Sequence, residues 1–261
     1  MNSFVLFFRK EIAELIKTVK GIVFAVIFLV IGISSPLITK LTPEIIKLAG
    51  IEASAEEMDV LTAIIPKPDS VESYKQFFSN FNSIGLLALI IVFAGIVSNE
   101  KNKNTAAYIL TQNISRRQFI LSKFVASVVF TFVSLVISMA AQIFYTKFLF
   151  DDNLIELKYI IIYSALLFLY LFFILSIVIF SSVVTKTVTS STFVAFLIFI
   201  AANIFSAIPK IGKYMPPNIN DISVLLQLKS AGDLTVNIII TAVCSIIFII
   251  AGLELFNRQE L

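Results

Sequence analysis

The chain has no histidine, no tryptophan and a single cysteine, Cys244. Without histidine, the commonest general base at neutral pH and the commonest metal ligand are gone. One cysteine cannot close a disulfide within the chain or form a redox pair, and Cys244 lies in an apolar run, where it reads as a small core residue. Without tryptophan, tyrosine must supply any interfacial aromatic anchoring. Charge is scarce: Asp, Glu, Lys and Arg make up 14% of residues, against roughly 25% in an ordinary soluble domain. No Gly-x-x-x-x-Gly-Lys-Ser/Thr phosphate loop, no His-Glu-x-x-His, no Gly-x-Ser-x-Gly and no paired-cysteine motif occurs. No catalytic residue and no metal ligand is therefore assigned, and the chain does not read as an enzyme. No Asp or Glu lies deep within an apolar run. Proton-driven carriers commonly place carboxylates there, so this counts against one, although backbone carbonyls can bind sodium.

Apolar residues, by contrast, make up 58% of the 261, with 26 phenylalanines and a mean hydropathy of +0.97. Soluble domains run nearer about 45–50% apolar. A spanning helix needs about 20 mostly apolar residues, and such runs lie at 21–39, 81–98, 124–146, 158–184, 188–208 and 234–255. Nothing shows the many short segments of period two that a membrane barrel requires. The fold class is an all-α integral membrane protein, a six-helix transmembrane bundle. Its organisation is an amphipathic interfacial helix over 1–20 and a single transmembrane domain over 21–261.

Lysine and arginine near span ends set orientation. With the N-terminus inside, cytoplasmic segments hold eleven of the 20 basic residues, including every arginine: Arg9, Arg116, Arg117 and Arg258. The chain then reads as a multi-pass plasma-membrane protein with both termini cytoplasmic. In the first 20 residues Phe4, Phe8, Ile12, Leu15, Ile16 and Val19 recur at helical spacing, and Lys10, Glu14 and Lys17 take another face. Such a helix can lie in the inner interface with its lysines near anionic lipid headgroups. The stretch 40–80 reads as a long external loop, with a short helix opened by Pro43-Glu44, another at Ala55-Glu56-Glu57, and a break at Pro66-Lys67-Pro68-Asp69. Residues 209–233 form the last external loop, punctuated by Pro216-Pro217-Asn218, and Ile222–Leu228 is too short to span. Gln142 and Asn203 are polar groups inside spans. Glue between helices is the commoner role for such groups, and pore lining the alternative.

The remaining polar interval is 99–123. Thr105 can cap a helix starting at Ala106, and Ser115 can cap the one leading into the third span. The segment 106–112 carries Tyr108, Ile109 and Leu110, an apolar set able to enter a partner's groove. Arg116 and Arg117 can pair with lipid phosphate or partner carboxylates. Positive-inside anchoring explains those arginines but not the helix beside them.

Glu100, Thr105, Leu110, Ser115-Arg116-Arg117 and Lys123 resemble the cytoplasmic signature of ABC-2-type transporter permeases. Phe8-Arg9-Lys10-Glu11 resembles that family's interfacial N-terminal helix. Asn104 stands where the family usually has Gly, and Asn113 stands near its expected Pro. The resemblance implies the membrane permease subunit of an ATP-driven exporter. A separate ABC ATP-binding subunit would carry ATP and Mg, with no cofactor in this chain. A second permease subunit, identical or related, would complete the path, and no nucleic acid is implied. Glu100, Thr105, Tyr108, Leu110, Ser115, Arg116 and Arg117 are then the expected coupling residues, in a cytoplasmic coupling helix. A non-transporting immunity or sensor subunit on the same scaffold is the alternative reading, and a secondary carrier the third.

Overall fold

The computed structural model describes residues 3–48, 68–103, 105–110, 114–150, 155–208, 212–220 and 231–259. Among them there is no strand, and six helical stretches are long and apolar enough to cross a membrane. Helix α1, Ser3–Lys17, precedes α2, Val19–Leu48, which supplies the first span. The chain bends between them at Thr18. Gly21 permits the bend, because a Cβ there would lie 1.7 Å from the Leu15 carbonyl oxygen.

The second span is composite. Helix α3, Ser70–Asn80, runs through one π-helical turn, Phe81–Gly85, into α4, Leu86–Phe93. After a break at 94–97 come the short α5, Ser98–Asn102, and α6, Thr105–Leu110. The third span is α7, Arg116–Leu149, the fourth α8, Leu157–Val184, and the fifth α9, Val188–Ser206. Two 3₁₀ turns, Gly212–Tyr214 and Pro216–Asn220, precede α10, Ala231–Arg258, the last span.

The expected loop at 40–80 is helical at both ends. Helix α2 continues through Pro36 and Pro43 to Leu48 instead of ending for a new helix at Pro43. Its 30 residues measure about 45 Å at 1.5 Å per residue, well beyond a hydrocarbon core of about 30 Å. Asp69 caps α3, its carboxylate accepting from the Glu72 amide at 2.7 Å. Helix α3 is more polar than the α4 stretch that follows it in the same span, yet it buries Ser73, Tyr74, Phe77 and Phe78 along one face. What makes that burial possible is a matched polar set on α7. Gln142 donates to the Ser73 hydroxyl at 2.9 Å and to Thr146 at 3.1 Å, and the Ser73 and Thr146 hydroxyls pair at 3.0 Å. The proposed helix at 55–57 and the stretch 222–228 lie outside the described residues.

The centre is aromatic. Phe24, Phe28, Phe77, Phe81 and Phe93 are buried together, with ring centroids 4.2 Å apart for Phe24–Phe28 and 4.8 Å for Phe28–Phe81. Helix α8 is the most enclosed element, whereas α9 buries only Ser191 and Ala195. The outer faces of α9 and α10, with Phe193, Leu197, Ile200, Ile239 and Ile246, are exposed and apolar. In a bilayer such faces meet lipid or another apolar helix.

Helices α2 and α7 cross closely, because Gly32 has no side chain and the Ser138 hydroxyl donates to the Phe28 carbonyl. A Cβ on Gly32 would lie 2.3 Å from the Ser138 carbonyl oxygen, while one on Gly252 meets nothing nearer than 3.7 Å. Gly32→Ala is expected to destabilise the protein by about 1–3 kcal/mol through overpacking. Gly252→Ala should be neutral or stabilising, by up to about 1 kcal/mol. Thermal unfolding in detergent, followed by labelling of Cys244, checks both; equal melting of the two variants would contradict the packing argument.

Candidate functional site

One end of the bundle gathers α1, the segment 94–123, the start of α9 and the last turn of α10. The second span stops being helical at 94–97, and its freed peptide groups are taken up by serines of neighbouring helices. The Ser182 hydroxyl accepts from the Val97 and Ser98 amides at 3.0 and 2.9 Å, and Ser191 donates to the Ala94 carbonyl at 2.6 Å. Gly95 lets α9 come close, since a Cβ there would sit 3.1 Å from Val188. Backbone that leaves the helix at membrane depth is tolerated only where protein satisfies it in this way.

Beyond the break, α5 aims Glu100 inward and Lys101 toward the ends of α8 and α10. Lys123, on α7, is 2% exposed, and its ammonium lies 2.8 Å from Glu100 Oε1 and 2.9 Å from Glu11 Oε2. Those carboxylates are 15% and 5% exposed. The rings of Phe7 and Phe119 flank the ammonium at 5.7 and 5.2 Å from their centroids, in reach of the cation–π attraction. Lys10, half exposed, bridges Glu11 and Glu14 at 3.2 Å each and stands 4.0 Å from Glu100. Burial disfavours the Lys10 ammonium, but Glu11, Glu100 and Glu14 outweigh it, so its pKa is raised. A lysine with a raised folded-state pKa contributes fully below its unfolded value and loses that contribution only as pH climbs past the raised one. Lys10 therefore adds no pH dependence near neutrality. A cavity of about 350 Å³ borders this cluster, reaching Glu14, Lys20 and Asn99.

The other expected residues separate into distinct settings. Thr105 is the first residue of α6 and not a cap before it, and its hydroxyl donates to the Glu100 carbonyl at 3.2 Å. Tyr108 is 68% exposed, while Ala106 on the same helix is buried. The side chain of Leu110 falls outside the described residues, as do Asn104 and Asn113. Ser115 starts α7 with a capping box, its hydroxyl accepting from the Gln118 amide as Gln118 Oε1 accepts from the Ser115 amide. Arg116 donates to the carbonyls of Phe256, Asn257 and Gln259, and Arg117 pairs with Glu254 at 2.9 Å on the surface. Phe8 is half-buried and Arg9 exposed. Gln142 is fully buried among Ser73 and Thr146, and Asn203 donates to the Phe199 carbonyl of its own helix, so neither joins this end.

The buried face of α1 differs from the expected apolar one. Phe7 and Glu11 are buried, whereas Ile16 and Val19 are 57% and 75% exposed. The helix turns its acid inward because Lys123 waits there. Lys123 itself was assigned no role from the sequence beyond its place in the motif. The signal lies in its position: Lys123 stands two turns into the helix of the third span, directly before the apolar run 124–146, and an ammonium buried there must find carboxylates.

A profile of the ABC-2 family transporter protein matches residues 6–261. The chain belongs to the ABC-2 transporter family. It is also 26% identical, over 144 residues, to the uncharacterized transmembrane protein YxlG of Bacillus subtilis (strain 168). That match spans 55% of this chain and 54% of the relative, so it covers about half of each. As an ABC-2 family member with six apolar spans, the chain is a permease-type membrane protein.

Removing one partner of a buried ion pair typically costs about 3–5 kcal/mol, because the other charge stays buried. Lys123→Met is expected to lose that much stability, and adding Glu11→Gln with Glu100→Gln should restore most of it. Urea or thermal unfolding of both variants in the same detergent decides this. A Lys123→Met protein as stable as the parent would mean that the cluster is not charged in the way described.

Proposed function

We propose that this chain is the membrane permease subunit of an ATP-driven exporter, coupled through residues 98–117 and α1 to a separate ATP-binding subunit. The observation that carries the reading is the single buried ammonium of Lys123 shared by Glu11 and Glu100. It ties the interfacial helix, the break in the second span and the third span together at one point. A partner pressing on α6 would thus act on three elements at once. Tyr108 offers that partner an exposed ring on a helix whose other side is anchored by Ala106. Large aromatics of this kind dominate interface energies. This end of the bundle is then the cytoplasmic face of the plasma membrane, with both termini on that side. A second permease subunit would cover part of the exposed apolar faces of α9 and α10, and lipid the rest. ATP and Mg belong to the partner, and no cofactor is assigned here.

Tyr108→Asp tests the contact without touching the buried cluster. Its predicted effect is at least about tenfold weaker association with the ATP-binding subunit, the scale expected for losing an interfacial aromatic. Melting temperature should fall far less than in Lys123→Met, since Tyr108 lies outside the buried cluster. Association is read by co-purification from mild detergent at graded partner concentrations, with ATPase activity assayed on the complex. Full association and full ATPase stimulation in the variant would remove α6 from the interface. A well-folded chain that never retains an ATPase expressed beside it would favour the sensor or carrier reading.

A further inference from the structure

The C-terminal turn of α10 is bound more heavily than a helix end requires. A helix leaves its last four carbonyls without intrahelical donors. Here Arg116, from the start of another helix, places one guanidinium nitrogen 3.3 Å from the Phe256 carbonyl, 3.0 Å from that of Asn257 and 2.6 Å from that of Gln259. A cation at this position also complements the negative end of the helix dipole. Phe256, fully buried, stacks on Phe119 of α7 at 5.6 Å and an interplanar angle of 10°. Gln259 then reaches past α10 altogether. Its amide nitrogen donates to the Val183 carbonyl at 3.0 Å, at the C-terminal end of α8. Its amide oxygen accepts from Lys101 at 3.0 Å, and Lys101 donates to the same Val183 carbonyl.

We propose that the last turn of α10, with Gln259 at its tip, is a positioning clasp that fixes Lys101 and Arg116, on either side of α6, against the ends of α8 and α10. Gln259 is the hub, since among the described residues it alone meets Lys101, Val183 and Arg116 together. Two of its three partners flank α6, Lys101 before it and Arg116 after it. The clasp thus sets the height and tilt at which α6 meets whatever docks there. In this role Arg116 works inward, on carbonyls, while exposed Tyr108 faces outward. The inference rests on the exporter reading for its consequence, though not for its geometry.

The test uses the full chain in lipid nanodiscs, alone and with its ATP-binding subunit. Hydrogen exchange of peptides covering 250–259 reads the clasp directly. Gln259→Ala and Arg116→Ala are each expected to speed exchange there at least tenfold. Arg117→Ala, which removes only an exposed pair with Glu254, should leave exchange unchanged. In the complex, Gln259→Ala should retain the partner and the KM for ATP but lower transport per ATP several-fold. Gln259→Glu, which keeps the acceptor for Lys101, should recover part of it. Unaltered exchange in Gln259→Ala and Arg116→Ala overturns the clasp, whatever the chain transports. Faster exchange with undiminished transport per ATP overturns its positioning role and leaves the exporter reading standing. If no ATPase associates with the parent chain, the exporter reading falls, and the clasp is still decided by exchange.

Discussion

The end of the bundle that holds α1 and α5 is organised around the ammonium of Lys123. It is 2% exposed on a helix otherwise built to cross a membrane. Taking a charge out of water costs several kcal/mol even after relaxation, and that cost is offset only by close, hydrogen-bonded partners. Lys123 has two, Glu11 and Glu100, at 2.9 and 2.8 Å. They come from elements 89 residues apart in the chain, and neither element would have reason to meet the third span otherwise. Charge balance therefore dictates tertiary structure here. Helix α1 must fold back under α7 instead of simply extending α2, and the second span must break so that α5 can turn Glu100 inward. A well-packed apolar trio would hold such a junction at least as strongly. Three charges, however, tolerate only one arrangement, because any slip of α1 by one residue leaves a carboxylate or the ammonium buried alone.

That demand explains the irregular backbone at 94–97. A straight helix through this stretch would carry Glu100 on the line of α4, away from α1. Breaking it exposes amides and a carbonyl at the edge of the hydrocarbon. Two serines cover them: Ser182 takes the Val97 and Ser98 amides, and Ser191 supplies the Ala94 carbonyl. Small hydroxyl side chains suit this work because they bring a donor or acceptor close without bulk. Gly95 completes the fit by leaving Val188 room. Short polar residues in α8 and α9 that look like neutral punctuation are thus the hydrogen-bond partners of a break in another helix.

The six spans could be read from the sequence because membrane crossing requires long apolar runs, and apolarity is local information. The membrane bundle follows from that signal, and the family resemblance from the polar motif between Glu100 and Lys123. What escaped was whatever depended on a distant residue. Helix α3 looked like loop because Ser73 and its polar neighbours are acceptable only opposite Gln142 and Thr146, about seventy residues on. Apolar periodicity points to Phe4, Phe8 and Ile12, about 100° round α1 from the buried Phe7 and Glu11, because it makes no allowance for a carboxylate that belongs inside. Arg116 read as a surface cation seeking a partner, since nothing nearby announces that the carbonyls of 256, 257 and 259 lie within its reach. Thr105 was placed one residue out of register, the ordinary uncertainty of a helix end.

The polar end of the bundle and its fifth span are held in different ways. At the polar end, charged and polar contacts join α1, α5, α7, α8 and α10 beside a cavity of about 350 Å³. Helix α9 differs. Its two buried residues, Ser191 and Ala195, both lie in its first turns, and Ser191 holds the broken backbone at Ala94. Further along, Phe193, Leu197, Ile200 and Ile204 are exposed. The helix is 19 residues long, about 28 Å. Its fully buried anchors lie at its base, while at its far end Asn203 meets Tyr170 and the Ser206 carbonyl accepts from Asn218. The geometry of the break at 94–97 therefore bears on the base of α9. The break is set in turn by Glu100 on Lys123 and by Lys101 on the ends of α8 and α10. A change in the seating of Glu100 or Lys101 would thus be felt first at the base of α9, which is the most weakly enclosed span among the described residues.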